Sequence, residues 1–207
     1  MTTPVRLVIA TAVLGVLVSL SACSGDDPEG STSTQGPTQT PTTSQSPTPS
    51  VAVPEGVVLT DPGSALAFGD TATVAYAPEE GISTVLAITV EGSRPAKRRD
   101  IEHGFVLDTD YKKNANYFYV DVMVENLGTG KLGRRDVPVW GVSQDDHLLP
   151  PVLFDSAFPK CPSKRLPKNF GQGKTFQTCL VFPSPDGGDL VGVRYQQAET
   201  DQPIDWS

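Results

Sequence analysis

The clearest pattern in the chain is strict alternation over residues 116–125. Phe118, Val120, Val122 and Val124 fall on one side, and Tyr117, Tyr119, Asp121, Met123 and Glu125 on the other. A period of two sends successive side chains to opposite faces of a sheet, so this stretch predicts a strand with one buried face. Shorter apolar runs recur at 65–68, 71–76, 83–90, 137–142, 148–153, 175–182 and 190–196. Turn formers separate them, among them Gly69-Asp70 and the Asn126-Leu127-Gly128-Thr129-Gly130 break. Pro150-Pro151 assigns its run to an edge or a bend, because proline cannot donate to a ladder. Helical patterning is weak: 100–115 has room for a turn or two, and Gly104 weakens even that. Roughly seven or eight short strands with frequent turns predict an all-β fold, an antiparallel β-sandwich over residues 57–207.

Two segments ahead of the strands follow other patterns. Residues 7–20 are almost uninterruptedly apolar, preceded by Arg6 and followed by Leu20-Ser21-Ala22-Cys23 and then Ser24-Gly25-Asp26-Asp27. A run of about 14 apolar residues is short for a permanent membrane span, which needs ~20. The segment resembles the bacterial lipoprotein signal, in which a Leu, two small residues and a Cys form the lipobox. That resemblance implies a signal peptide at 1–22, diacylglyceryl transfer to the Cys23 sulfur and cleavage before Cys23. An ordinary secretory signal or an uncleaved anchor would leave the cysteine's position unexplained. Two acyl chains suffice for stable anchoring, so the implied location is the extracytoplasmic face of the cell membrane.

Residues 23–56 then read as the lipidated cysteine and a disordered linker. From Gly30 to Ser50 the residues are almost all Ser, Thr, Gln, Pro and Gly, too poor in apolar surface to offset the entropy of ordering. Pro37, Pro41, Pro47 and Pro49 bias the segment toward extended conformations. A tether of ~33 residues reaches ~30 Å as a coil and ~100 Å as extended polyproline. Ser/Thr-Pro tracts are also suited to O-linked sugars.

Composition changes this picture in two places. The 38% hydrophobic content is diluted by the tether, so the remaining ~150 residues are rich enough to bury a core without a cofactor. The net charge is −8, and loss of the signal removes only one charged residue, Arg6. An acidic chain is repelled by phosphate backbones, which argues against a nucleic-acid partner. With Cys23 lipidated, Cys161 and Cys179 form an even pair outside the cell and are expected to make a disulfide. No further Cys or His lies between them to suggest a metal.

The segment 117–128, together with Cys161, Leu166-Pro167, Phe170, Gly173, Thr178-Cys179-Leu180-Val181-Phe182 and Leu190-Val191-Gly192-Val193-Arg194-Tyr195, is similar to uncharacterised lipoproteins of high-GC actinobacteria. These carry an immunoglobulin-like (telokin-like) domain of unknown function, and they tend to end in a tail like Ile204-Asp205-Trp206. The likeness covers roughly residues 65–206. It implies an immunoglobulin-like sandwich and carries no activity.

Candidate chemistry is sparse. Asp145-Asp146-His147 offers metal-ligand types, but at an expected hairpin tip where Asp is a turn former. Asp108 and Asp110, with Asp100 and Glu102 near His103, lack the Gly and terminal Glu of a calcium loop. Gly171-Gln172-Gly173-Lys174 runs into a strand rather than a helix, so it is no phosphate loop. No Gly-x-Ser-x-Gly elbow is present. Arg94, Lys97, Arg98 and Arg99 form a dense basic patch suited to an anionic wall polymer or an acidic partner. Lys160, Lys164, Arg165 and Lys168 form a second basic stretch, which adds weight if both lie at one end of the sandwich. Tyr117 and Tyr119, on the outward face of the best strand, are candidate partner-binding aromatics. The expectation is a non-enzymatic surface interaction module, anchored to the membrane by lipid, that needs no metal or cofactor and contacts another envelope protein or a wall polymer. The alternative is an extracytoplasmic lipoprotein that binds a small solute or ion.

Overall fold

The computed structural model describes residues 51–154, 158–198 and 201–207; the apolar leader, Cys23 and most of the linker lie outside the described residues. The strands in chain order are β1 (Ala65–Leu66), β2 (Thr71–Glu79), β3 (Ile82–Pro95), β4 (Asn116–Asn126), β5 (Trp140–Ser143), β6 (Leu148–Leu149), β7 (Thr175–Ser184), β8 (Leu190–Tyr195) and β9 (Ile204–Trp206). Two short helices, α1 (Arg98–Gly104) and α2 (Asp110–Asn114), join β3 to β4 in the segment where the sequence leaves room for a turn or two.

The strands make two sheets, ordered β2-β3-β4-β7 and β1-β9-β8-β5-β6. Every pairing is antiparallel except β1 with β9, which run parallel. A parallel neighbour cannot be supplied by a hairpin, so this edge joins the first strand to the last. The tail Ile204-Asp205-Trp206 is thus a strand wedged between β1 and β8. Trp206 is fully buried, and its indole N–H donates to the Asp70 carbonyl at 3.0 Å.

Val120, Val122 and Val124 of β4 face inward as the alternation predicts. They pack with Leu86, Ile88 and Val90 of β3 and Leu180 and Phe182 of β7 against Val193, Ile204 and Trp206 of the other sheet. The opposite face of the four-stranded sheet is where pattern and structure part. Near the start of β4 it carries a second apolar layer built from Tyr117, Tyr119, Cys179 and Val181 of the sheet, covered by Ile101 of α1, Phe158 and Cys161. Phe105 stacks edge-on against Phe154 and Phe158, at 4.3 and 5.1 Å between ring centres. This layer tolerates no side chain at position 104, since a Cβ on Gly104 would lie 2.6 Å from the Phe158 ring. Further along β4 the cover ends, and Met123 is exposed.

The Cys161–Cys179 disulfide forms as expected, with the Cα atoms 4.9 Å apart. It does not link the two sheets. It ties the long β6–β7 connection down onto the outer face of β7, where the Ser163 N–H also donates to the Cys179 carbonyl at 2.7 Å.

Candidate functional site

The basic patch expected at 94–99 is largely neutralised by its own neighbours. Arg94 pairs with Asp121 and lies over the Tyr119 ring, 5.4 Å from its centre, while Nη2 reaches the Cys179 sulfur at 3.8 Å. Arg98 pairs with Glu102 at 2.8 Å and donates to the Lys113 carbonyl at 2.6 Å. Arg99 stands 3.9 Å from Asp100, and Lys97 is exposed with no side-chain partner among the described residues. Tyr117 and Tyr119 correct the sequence expectation of an exposed aromatic face. They are 6% and 5% exposed, because α1 and the disulfide-bonded loop cover that part of the sheet. The Tyr117 hydroxyl donates to the Lys112 carbonyl at 2.9 Å. The Tyr119 hydroxyl is buried without a hydrogen-bond partner among the described residues.

The second basic stretch does not gather beside the first: it starts there, Lys160 preceding Cys161, whose disulfide partner Cys179 lies 3.8 Å from Arg94 Nη2, and runs to the far end of the four-stranded sheet. Arg94 and α1 adjoin the last residues of β3, whereas Lys168 adjoins the loop that packs on the first, Gly130 against Ser83 and Gly133 against Lys168.

The acidic candidates are held in ion pairs or turns. Asp146 sits in the left-handed region (φ 58°) at the β5–β6 turn and reaches Arg194 at 3.1 Å. Asp108 pairs with Lys112 at 2.7 Å, and that hydrogen bond, more than any other influence, lowers its pKa below the ordinary carboxylate value. Asp110 lies 3.7 Å from Lys113 within α2. Gly173 adopts φ 69° and leads directly into β7.

What the fold assembles instead is a cleft that sequence reasoning missed. Two loops zip together without being strands. Leu132 N–H donates to the Phe170 carbonyl at 2.9 Å, Arg134 N–H to Leu166 at 3.0 Å, and Leu166 N–H back to Arg135 at 2.9 Å. Leu132, Leu166 and Phe170 are the buried anchors, so the residues between them turn outward. Arg134, Arg135 and Arg165 therefore line one open cavity of about 350 Å³ with Tyr76 and Asp136. The loops touch so closely at position 133 that a Cβ on Gly133 would lie 1.9 Å from the Lys168 carbonyl oxygen.

Arg135 is held by Glu79 through two contacts, and Arg165 pairs with Asp136 at 2.6 Å. Arg134 is exposed, has no side-chain partner among the described residues, and holds φ at 66°, a conformation that costs a β-carbon residue about 1–2 kcal/mol. Burial, the largest influence, raises the Tyr76 pKa above the ordinary phenol value; Arg135 opposes this.

Through Tyr76 and Asp136 this corner continues into a second cleft of about 330 Å³, where Trp140, Pro138, Pro150 and Pro151 form rigid walls. Trp140 is 37% exposed. Gln196 and Gln197 close its far side and also line a third cleft of about 330 Å³ along β2. Gln197 bridges the free edge of β2, accepting from the Ala77 N–H at 2.6 Å and donating to the Ala75 carbonyl at 2.9 Å. Its side-chain amide thus stands in for the peptide unit of a missing neighbouring strand.

The only sequence signal for this site was the exposed run Gly133-Arg134-Arg135-Asp136 beside a tryptophan. Its meaning depends on a loop more than thirty residues away in the chain. Comparison with protein-family models, curated proteins and solved structures found no match.

Proposed function

We propose that this protein is an envelope lipoprotein, exported by residues 1–22 and held on the extracytoplasmic face of the membrane by a lipid on Cys23. Its sandwich serves as a non-enzymatic interaction module, and its contact surface is the cleft between Tyr76 and Trp140 with the flanking arginines. Residues 94–99, 117 and 119 are not that surface. The single observation that carries this reading is Trp140, a large apolar side chain left exposed in a groove with proline walls. Exposed aromatics in a rigid, partly polar concavity are the usual anchors of recognition surfaces. The Cys161–Cys179 disulfide supports an oxidising compartment. The small-solute reading would use the same cleft.

The test joins localisation to capture. Wild-type protein should incorporate a labelled fatty acid and partition into detergent, and the Cys23→Ser variant should carry no label. Cross-linking on intact cells should give adducts that are lost in Trp140→Ala and kept when Arg94, Lys97, Arg98 and Arg99 are changed together to Ser. Loss of the adducts in the fourfold variant with retention in Trp140→Ala would overturn the placement of the surface.

A further inference from the structure

We infer that the Arg134, Arg135, Arg165 and Tyr76 corner is an oxyanion site for an acidic glycan, with the sugar ring seated against Trp140 in the adjoining cleft. This rests on the proposed interaction surface and names its ligand. Three guanidinium groups line one cavity of a chain whose net charge is −8, with Glu79 paired to Arg135 and Asp136 to Arg165. A guanidinium presents five N–H donors in a fixed fork, and a carboxylate engages only part of it. Glu79 therefore holds Arg135 in place without exhausting it. The Arg134 side chain has no partner among the described residues, and its backbone is kept in the left-handed region by the loop zipper and the close contact at Gly133. Glycine would occupy that conformation without strain, so an arginine there trades stability for a side chain aimed at the cavity. The Tyr76 hydroxyl has no hydrogen-bond partner among the described residues and lines both clefts.

The neighbouring cleft selects the carrier of the charge. It combines an indole face, a phenol and two carboxamides, Gln196 and Gln197, groups suited to the apolar face and the hydroxyls of a sugar ring. The oxyanion can be a uronic carboxylate or a sugar phosphate, and both suit the arginine fork.

The experiment uses the full mature chain with Cys23→Ser, to keep it in water, and reads tryptophan emission during titration. Only two tryptophans are present and Trp206 is fully buried, so a ligand-dependent change reports Trp140. The probes are a glucuronate-containing oligosaccharide, a sugar-phosphate polymer, a neutral oligosaccharide of equal length, inorganic phosphate and an acidic peptide. One of the two acidic glycans should bind at least tenfold more tightly than the neutral one, and which of them does so identifies the oxyanion. Arg134→Gly should lose at least tenfold in affinity while unfolding at the same or a higher urea concentration than its parent. Equal binding of the neutral glycan, unchanged affinity in Arg134→Gly, preference for the acidic peptide, or no binding by any probe would overturn the inference. If glycans fail while Trp140→Ala still abolishes cell-surface adducts, the interaction surface stands and only its ligand is wrong. If both fail, the surface falls too.

Discussion

Replacing both Cys161 and Cys179 by Ser tests how the β6–β7 connection is held. The bond closes a loop with a sequence separation of 18, for which the chain-entropy relation gives about 3 kcal/mol. The side-chain layer adds to this. Cys161 is fully buried and Cys179 nearly so, among Ile101, Tyr117, Tyr119, Phe158 and Val181, so serine hydroxyls there would seek partners that apolar neighbours do not supply. The expected loss is therefore about 3–4 kcal/mol. With a urea slope of about 2 kcal/mol per M, the midpoint should fall by ~1.5–2 M. Equilibrium urea unfolding, followed by fluorescence of the buried Trp206 and by far-ultraviolet circular dichroism, measures this directly. Coincidence of the two probes would show that core packing and secondary structure are lost in one transition, which is what a single midpoint requires. A fall of less than ~0.5 M would refute the reasoning. It would mean that the anchors Leu166 and Phe170, with the bond from Ser163 N–H to the Cys179 carbonyl, hold the connection without the covalent link.

Three further outcomes follow from particular contacts. Trp206→Ala removes a fully buried indole and its bond to Asp70, and should cost about 3–5 kcal/mol in urea unfolding; a loss under ~1 kcal/mol would mean that β9 is dispensable to the core. Gln197→Ala uncovers the β2 edge at the Ala77 N–H, while the Ala75 carbonyl keeps its bond from the Tyr195 hydroxyl, and should cost about 1 kcal/mol. It should also promote concentration-dependent association in sedimentation, and a strictly monomeric variant would show that the edge is guarded by something else. Burial, the largest influence on each, raises the pKa of all five tyrosines: Tyr76, Tyr111, Tyr117, Tyr119 and Tyr195. Unfolded tyrosines ionise near pH ~10, so the unfolded chain loses protons first. Stability should then be intact below about pH 10 and fall as pH rises through the folded values. Phenolate absorbance of Tyr76, Tyr117, Tyr119 and Tyr195 should appear late and together with unfolding, after that of Tyr111, which is 47% exposed; ionisation of more than one tyrosine in the folded protein would contradict the burial.

The alternation over 116–125 was enough to orient β4, because a strand has a period of two and one face of it meets the other sheet. The run boundaries near 71, 83, 175 and 190 were legible for the same reason, and the pair Cys161 and Cys179 was legible from parity and compartment. The period identified the face opposite the core, but it held no information about what else covers that face. Tyr117 and Tyr119 looked exposed because their cover comes from α1 and from Phe158 and Cys161, segments without strand periodicity whose placement is a tertiary event. The tail 204–206 was too short to read as a strand, and it becomes one only because β1 and β8 leave a gap of its width. The arginine corner is the extreme case. Arg134 and Arg135 sit in a polar, glycine-rich loop with no period, and Arg165 lies in the disulfide-bonded connection. The hydrogen bonds between Leu132 and Phe170 and between Arg134 and Leu166 bring them together. Local sequence determined which residues form strands and which are charged. Long-range packing, through buried anchors on otherwise irregular loops, decided which charges share a cavity.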